Sequence, residues 1–150
     1  MIFFVRTNSG NKDFQRLAAA LDADLRIRDG ENHAFYARLN KIDFLENVLM
    51  AYQNDRAAGC GAIRHCAAAS IEIKRMYVVP DQRRQGIAQF ILKNLEDWTL
   101  ALHCQKCVLE TGSNQPEAIS FYKKNGYAVI PSFGLYKGSS NSICFEKNLF

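Results

Sequence analysis

The segment whose residue types could do chemistry runs from an apolar strand through a polar loop into a helix. It reads Met76-Tyr77-Val78-Val79-Pro80-Asp81-Gln82-Arg83-Arg84-Gln85-Gly86-Ile87-Ala88. The first N–H groups of a helix lack intrahelical partners and carry partial positive charge, so a phosphate binds readily there. Small side chains at Gly86 and Ala88 let an anion approach the backbone, and Arg83 and Arg84 can add charge-assisted hydrogen bonds. The sequence therefore predicts a phosphate-binding site at this junction.

Two common phosphate-binding motifs do not fit this loop. A P-loop requires Gly-Lys-Ser/Thr at its end, and a dinucleotide fingerprint requires three glycines. The loop contains Gly86 alone. We therefore set aside both a P-loop nucleotide site and a Rossmann dinucleotide site.

Two motifs, in order along the chain, resemble those of the GNAT superfamily of acetyl-CoA-dependent N-acetyltransferases. The family signature Gln/Arg-x-x-Gly-x-Gly/Ala, after a strand ending in Val-x-Pro, is matched by residues 83–88 after residues 78–80. The resemblance is strongest over residues 71–130 and extends more weakly to the whole chain. A second family pattern, Ala-x-x-x-Tyr-x-x-x-Gly-Tyr/Phe, is matched at the expected distance by Ala118, Tyr122, Gly126 and Tyr127.

The resemblance implies how acetyl-CoA, the cosubstrate, would bind. The pyrophosphate would lie on the backbone amides of residues 83–88. The pantetheine arm would pair with the strand 76–79, in the gap where that strand separates from the strand 106–110. Many family members have Asn at the start of the second motif's helix, whereas this chain has Gln115 preceded by Asn114. The residues assigned to the cofactor are Met76, Tyr77, Val78, Val79, Arg83, Arg84, Gln85, Gly86, Ile87, Ala88, Asn114, Gln115 and Ala118.

Acetyl transfer needs a neutral amine, a held thioester carbonyl and a proton for the departing thiolate. The resemblance assigns the acid to Tyr122, and the alternative is a ring that only packs under the last strands. Glu72 stands where some family members have a general base, and the alternative is a solvated or ion-paired strand residue. Glu110 is the reserve candidate for the base. A backbone N–H of Val78 or a neighbour would polarise the carbonyl.

The resemblance places the acceptor site around residues 26–43 and 132–140. Arg38 or Arg75 could hold an acceptor carboxylate through two hydrogen bonds, although an arginine is ordinarily solvent-facing. The residues assigned to the acceptor substrate are Tyr36, Arg38, Arg75 and Glu110.

The sequence thus predicts an enzyme that transfers the acetyl group of acetyl-CoA to the amine of a small molecule, by direct attack in a ternary complex. A protein N-terminal or lysine acetyltransferase and a non-catalytic acyl-CoA binding module are the alternatives. Tyr122 favours catalysis, because a binding module needs no acid at that place.

Apolar periodicity predicts the elements that position these residues. The length of 150 residues predicts a single domain over residues 1–150. The predicted fold is α/β with α+β-like character, in which a mixed, mostly antiparallel sheet of about six to seven strands has helices on both faces. The predicted helices cover residues around 14–21, 31–39, 87–102 and 116–125, and the predicted strands cover residues 2–6, 48–53, 59–66, 71–79, 106–110, 127–130 and 142–146.

The strand 71–79 breaks regular alternation at Lys74-Arg75. On an unbroken strand, Ile71 and Ile73 share one face while Met76 and Val78 share the other. A β-bulge explains the break, and a strand buried on both faces explains it equally well.

Composition narrows the partners. The chain is 48% hydrophobic and 23% charged with a formal net charge of +4, and its Lys and Arg residues are scattered, so we expect no nucleic-acid partner. No stretch approaches the roughly 20 apolar residues of a membrane span, and the start resembles no signal peptide, so we expect a cytoplasmic protein without a membrane partner. The cysteine count of five is odd, which indicates reduced, buried thiols. Cys104-x-x-Cys107 lacks the further ligands of a zinc site, so we expect no metal. A homodimer remains open.

Overall fold

The structure is a computed structural model that describes residues 1–29, 44–138 and 141–150. The predicted helix 31–39 lies outside the described residues, as do Tyr36 and Arg38. Three helices and seven strands are described, in the order β1 (Ile2–Thr7), α1 (Lys12–Asp29), β2 (Asn47–Gln53), β3 (Arg56–Ala67), β4 (Ser70–Val78), α2 (Ile87–Ala101), β5 (Lys106–Gly112), α3 (Pro116–Lys124), β6 (Ala128–Ile130) and β7 (Ser142–Asn148).

The strands form one sheet in the order β1-β2-β3-β4-β5-β7-β6. All neighbouring pairs are antiparallel except β4 and β5, which are parallel. On one face, Ile91 and Leu95 of α2 pack with strand residues in the larger apolar cluster, and on the other Phe14 and Leu17 of α1 pack in a second cluster. The mixed, mostly antiparallel sheet with helices on both faces is confirmed.

Strands β4 and β5 pair over a short length only. Their register joins Ser70 to Lys106, Ile71 to Cys107 and Glu72 to Val108. Beyond Glu72 the two strands separate, although β4 continues to Val78 and β5 to Gly112. The gap expected between these strands is therefore present, and it begins at Glu72.

A β-bulge interrupts β4 at Arg75. Cys60 of β3 pairs with Tyr77, but Ala62 pairs with Lys74, so β4 has one residue more than β3 over this length. Arg75 has a φ of 60°, in the left-handed region. The extra residue returns Met76 and Val78 to the face of Ile71 and Ile73, where all four contact the cluster under α2. Of the two interpretations of the break, the β-bulge is therefore the one that the structure has, because the extra residue resets the alternation.

The residues that were expected to form turns lie at the ends of helices and strands. Asn54 and Asp55, between β2 and β3, have φ values of 52° and 63°, as a tight hairpin turn requires. Helix α3 begins at Pro116 and ends at Lys124, with Asn125 as its C-cap residue and Gly126 next at a φ of 91°. Helix α1 is longer than its apolar pattern indicates and reaches Asp29. Cys66 is exposed, which corrects the expectation of buried cysteines, while the other four are buried.

Gly59 of β3 allows α2 and β4 to approach closely, and replacing it by Ala is expected to destabilise the fold. A Cβ there would lie 2.8 Å from Tyr77 O and 2.9 Å from Ile91 Cδ1. The first atom belongs to the backbone, so relief requires movement of β4. We expect a loss of about 1 to 3 kcal/mol in the free energy of unfolding, measured by denaturant titration. Gly10→Ala is the control, because its Cβ would meet only the Asn8 side chain. Equal losses in both variants would contradict this account.

Candidate functional site

The N-terminus of α2 presents main-chain donors that no side chain caps. Gly86 is the N-cap residue, with a φ of 82° and no side-chain cap hydrogen bond. Phe90 N–H donates to Gly86 O at 3.1 Å, which is the first bond of the helix. The N–H groups of Ile87, Ala88 and Gln89 therefore have no partner within the helix. Because a Cβ on Gly86 would meet nothing nearer than Phe90 Cε2 at 3.9 Å, the space before the helix is open, as an anion requires.

The loop before α2 carries the two predicted arginines. Arg83 Nε donates to Val78 O at 2.7 Å, and its guanidinium lies 5.3 Å from the centroid of the Tyr77 ring. Arg83 is therefore turned along the end of β4. Arg84 has a left-handed φ of 65° and is exposed. Gln85 Oε1 accepts a hydrogen bond from Gln53 Nε2 at 3.4 Å. Phosphate binding by these side chains remains a prediction.

A cavity of about 110 Å³ occupies the gap between β4 and β5. Its walls come from α1, β4, β5 and α3, so it connects the two faces of the sheet where the strands part. The predicted site residues that it brings together are Glu72, Arg75, Met76, Glu110, Gln115, Ala118 and Tyr122. The remaining cofactor candidates of β4 and the loop continue from this cavity toward the start of α2.

Glu72 is a buried carboxylate with several partners. It is 3% exposed. Tyr136 Oη donates to its Oε2 at 3.0 Å, and Lys74 Nζ lies 3.7 Å from the same oxygen. Arg64 Nη2 lies 3.4 Å from Oε1. Glu72 is therefore ion-paired, as the alternative interpretation held, but it lines the cavity instead of facing solvent. Burial lowers the pKa of Lys74, and the charge of Glu72 opposes that effect.

Tyr122 both packs in the core and lines the cavity. Its ring meets Tyr127 edge-on at 5.6 Å and Phe121 at 5.1 Å. Burial raises the pKa of Tyr122 above its ordinary value. Because the neutral phenol is the favoured form, Tyr122 keeps its proton at physiological pH. The packing interpretation holds for the ring, and it does not exclude a chemical role for the hydroxyl.

Arg75 and Asn114 have partners on α1. Arg75 Nη1 and Nη2 donate to the two carboxylate oxygens of Asp22, at 2.6 and 3.3 Å. The two-pronged carboxylate site of Arg75 is thus filled from within the protein. Asn114 Nδ2 donates to Arg28 O at 3.3 Å, and Arg28 pairs with Glu117 of α3. These contacts join α1 to α3, and Asn114 is absent from the cavity lining among the described residues.

Sequence reasoning missed three polar residues of the cavity. Lys74 appeared only as a break in alternation. Thr111 is buried, and within the described ranges its Oγ1 has no hydrogen-bond partner. Tyr136 comes from a loop for which no residue was singled out. The one sequence signal for Tyr136 was the expectation that residues 132–140 lie near the acceptor site. In the described parts of the chain, no helix is long and apolar enough to cross a membrane. The same parts contain no cluster of three or more His, Cys, Asp or Glu side chains that could hold a metal ion.

Comparison with known proteins gives consistent matches. The model of the acetyltransferase (GNAT) family matches residues 14–127. An IAA acetyltransferase of Azospirillum brasilense is 35% identical over 102 residues, which cover 67% of each chain. A structure from Klebsiella pneumoniae, provisionally described as an acyl-CoA N-acyltransferase, has a TM-score of 0.84 and 29% identity, over 100% of this chain and 99% of that one. The PaiA N-acetyltransferase of Thermoplasma acidophilum, solved with coenzyme A, has a TM-score of 0.71 and 17% identity, over 99% of both chains.

Proposed function

The chain belongs to the acetyltransferase (GNAT) family, and on that premise we propose that it transfers the acetyl group of acetyl-CoA to the amine of a small molecule. One observation carries the proposal. Strand β4 leads from the cavity that begins at Glu72 to Val78, and the loop 79–86 leads from there to the uncapped donors at the start of α2. The seven residues from Glu72 to Val78 span roughly 20 Å of strand. An elongated ligand with phosphates at one end and a reactive group at the other suits this arrangement.

The fit of acetyl-CoA rests on donors that the structure leaves without a protein partner. Ile87, Ala88 and Gln89 offer N–H groups to phosphate oxygens. Val79 N–H donates to Ala58 O of β3 at 2.9 Å, so the neighbouring peptide groups of Val78 point away from β3 and toward the gap. At the cavity, Thr111 Oγ1 is a buried hydroxyl that an amide or carbonyl of a ligand can satisfy.

The residues around the cavity divide the work of the reaction. Acetyl-CoA supplies a thioester, whose acetyl group passes to the amine nitrogen as the thiol is released. We assign to Val78 N–H the polarisation of the thioester carbonyl. Glu72 accepts the proton of the amine, directly or through water. Tyr122 gives its proton to the thiol sulfur and is reprotonated from solvent after product release, and Glu72 releases the amine proton to solvent.

A small acceptor is supported by the size of the cavity. Its volume of about 110 Å³ admits the reacting groups and little more. The similarity to a protein named IAA acetyltransferase favours the same conclusion.

Acetyl-CoA is expected to raise the melting temperature. A ligand selective for the native state, at 100 times its Kd, adds about 2.7 kcal/mol, which for this chain length is roughly 5 to 10 °C. Acetyl-pantetheine, which lacks the pyrophosphate, is the matched control and should give a far smaller shift. Equal shifts from both compounds would contradict the phosphate site.

Thiol release from acetyl-CoA then tests the reaction itself. A panel of small amines, a lysine-containing peptide and a peptide with a free N-terminus should be compared under the same conditions. We expect turnover with at least one small amine and none with the peptides. Turnover with peptides alone would favour a protein acetyltransferase. A thermal shift without thiol release from any amine would favour a binding module.

A further inference from the structure

Tyr136 contacts the centre of the sheet from a loop. It ends the short 3-10 turn Gly134–Tyr136 between β6 and β7, yet it is only 5% exposed. The Phe133 ring packs edge-on against it at 5.4 Å. Its hydroxyl donates to Glu72 Oε2 at 3.0 Å, across 64 positions of sequence. A loop tyrosine is thus held in one place by both packing and a buried hydrogen bond.

The pair of Glu72 and Tyr136 also separates two spaces. Both residues line the cavity between β4 and β5. Both also line a wider groove, whose walls include Arg64, Val108 and Phe133. The position of the Tyr136 hydroxyl therefore determines which oxygen of Glu72 is hydrogen-bonded within the protein and which is left for a ligand.

The two oxygens of Glu72 have unequal partners. Oε2 is met by Tyr136 and by Lys74, whose side chain is 5% exposed. Oε1 is met at 3.4 Å by Arg64, whose side chain is 52% exposed. The Arg64 side chain is half-exposed and its contact with Oε1 is long, so a cationic ligand can take its place. Oε1 is therefore the oxygen that an amine can reach at little cost.

We propose that Tyr136 is a positioning residue for acetyl transfer: its hydroxyl holds Oε2 of Glu72, so that Oε1 receives the proton of the acceptor amine. The inference rests on the proposed function and adds a residue to it. Tyr136 is suited to donate, because burial, followed by the charge of Glu72, raises its pKa above the ordinary value. The phenol therefore stays protonated while the carboxylate is charged.

Tyr136→Phe tests the proposal, since it keeps the ring against Phe133 and removes the hydroxyl alone. We expect kcat to fall about tenfold, with KM for acetyl-CoA unchanged, because the base is misplaced while the cofactor still binds. The acetyl-CoA thermal shift confirms that the variant is folded.

Tyr52→Phe is the matched control, because it removes a hydroxyl that donates to Asp13 Oδ2 at 2.7 Å, away from the cavity. Its kcat and its KM for acetyl-CoA should match those of the wild type. An unchanged kcat in Tyr136→Phe, or a loss of turnover that comes with a raised KM for acetyl-CoA, would overturn the positioning role and leave the proposed function standing. A wild-type protein that releases no thiol with any amine would overturn the proposed function, and the positioning role with it.

Discussion

Replacing Tyr122 by Phe is expected to lower kcat about 100-fold, with acetyl-CoA binding kept. The loss is the typical contribution of a positioned general acid. Phe retains the ring that packs against Tyr127 and Phe121, so the hydroxyl alone is tested. Since burial raises the pKa of Tyr122, the wild-type hydroxyl stays protonated up to at least about pH 10. The wild type should therefore show no alkaline limb from this residue below that pH.

Tyr127→Phe is the control for this experiment. Its hydroxyl is equally buried and donates to Glu96 Oε2 at 2.8 Å, but Tyr127 does not line the cavity among the described residues. We expect it to lose about 2 kcal/mol of stability, the value of a buried hydrogen bond to a charged group, and to keep its turnover. Steady-state kinetics and the acetyl-CoA thermal shift, measured together, separate the two variants. Unchanged kcat in Tyr122→Phe would remove the acid role from Tyr122.

Replacing Gly86 by Asp is expected to abolish the acetyl-CoA thermal shift. Gly86 has a φ of 82°, and Asp and Asn are the non-glycine residues that tolerate this region best. Both are also good N-cap residues, so the start of α2 should form in either variant. The Asp carboxylate would stand beside the expected phosphates. At about 4 Å and an effective dielectric constant of about 20, the repulsion is about 4 kcal/mol per unit charge. Affinity should therefore fall at least about 100-fold.

Gly86→Asn separates charge from size in that experiment. It adds a side chain of the same shape without the negative charge, so its affinity should fall by roughly tenfold or less. Calorimetric titration with acetyl-CoA gives both values. Wild-type affinity in Gly86→Asp would show that the cofactor binds elsewhere and would remove the main support for the site.

The parts of the site that the sequence predicts correctly depend on neighbouring residues. Backbone preferences over a few positions predict the start of α2 after Gly86, the end of α3 before Gly126 and the hairpin turn at Asn54-Asp55. The break at Lys74-Arg75 was visible in the sequence. Its interpretation required the register of β3, since a bulge is defined by what lies opposite.

The parts that the sequence does not predict are side-chain contacts between distant elements. Asp22 lies 53 positions from Arg75 and fills the site that an acceptor carboxylate was expected to use. Tyr136 lies 64 positions from Glu72. A single polar contact of this kind leaves no periodic pattern in the sequence. The loop position of Arg83 is compatible with a side chain that reaches a phosphate. In the structure, however, Arg83 Nε donates a hydrogen bond to Val78 O. Such choices depend on distances and competing partners in three dimensions.

The separation of β4 from β5 leaves two bare strand edges in the interior of the sheet. Within the described sheet, the ladder between the part that contains β1 to β4 and the part that contains β5 to β7 has three residue pairs. A ladder this short resists relative rotation of the two parts less than a full-length ladder would. A ligand that lies along β4 with its end against β5 would add contacts between the two parts, and the protein would then be stiffer with the ligand bound than without it.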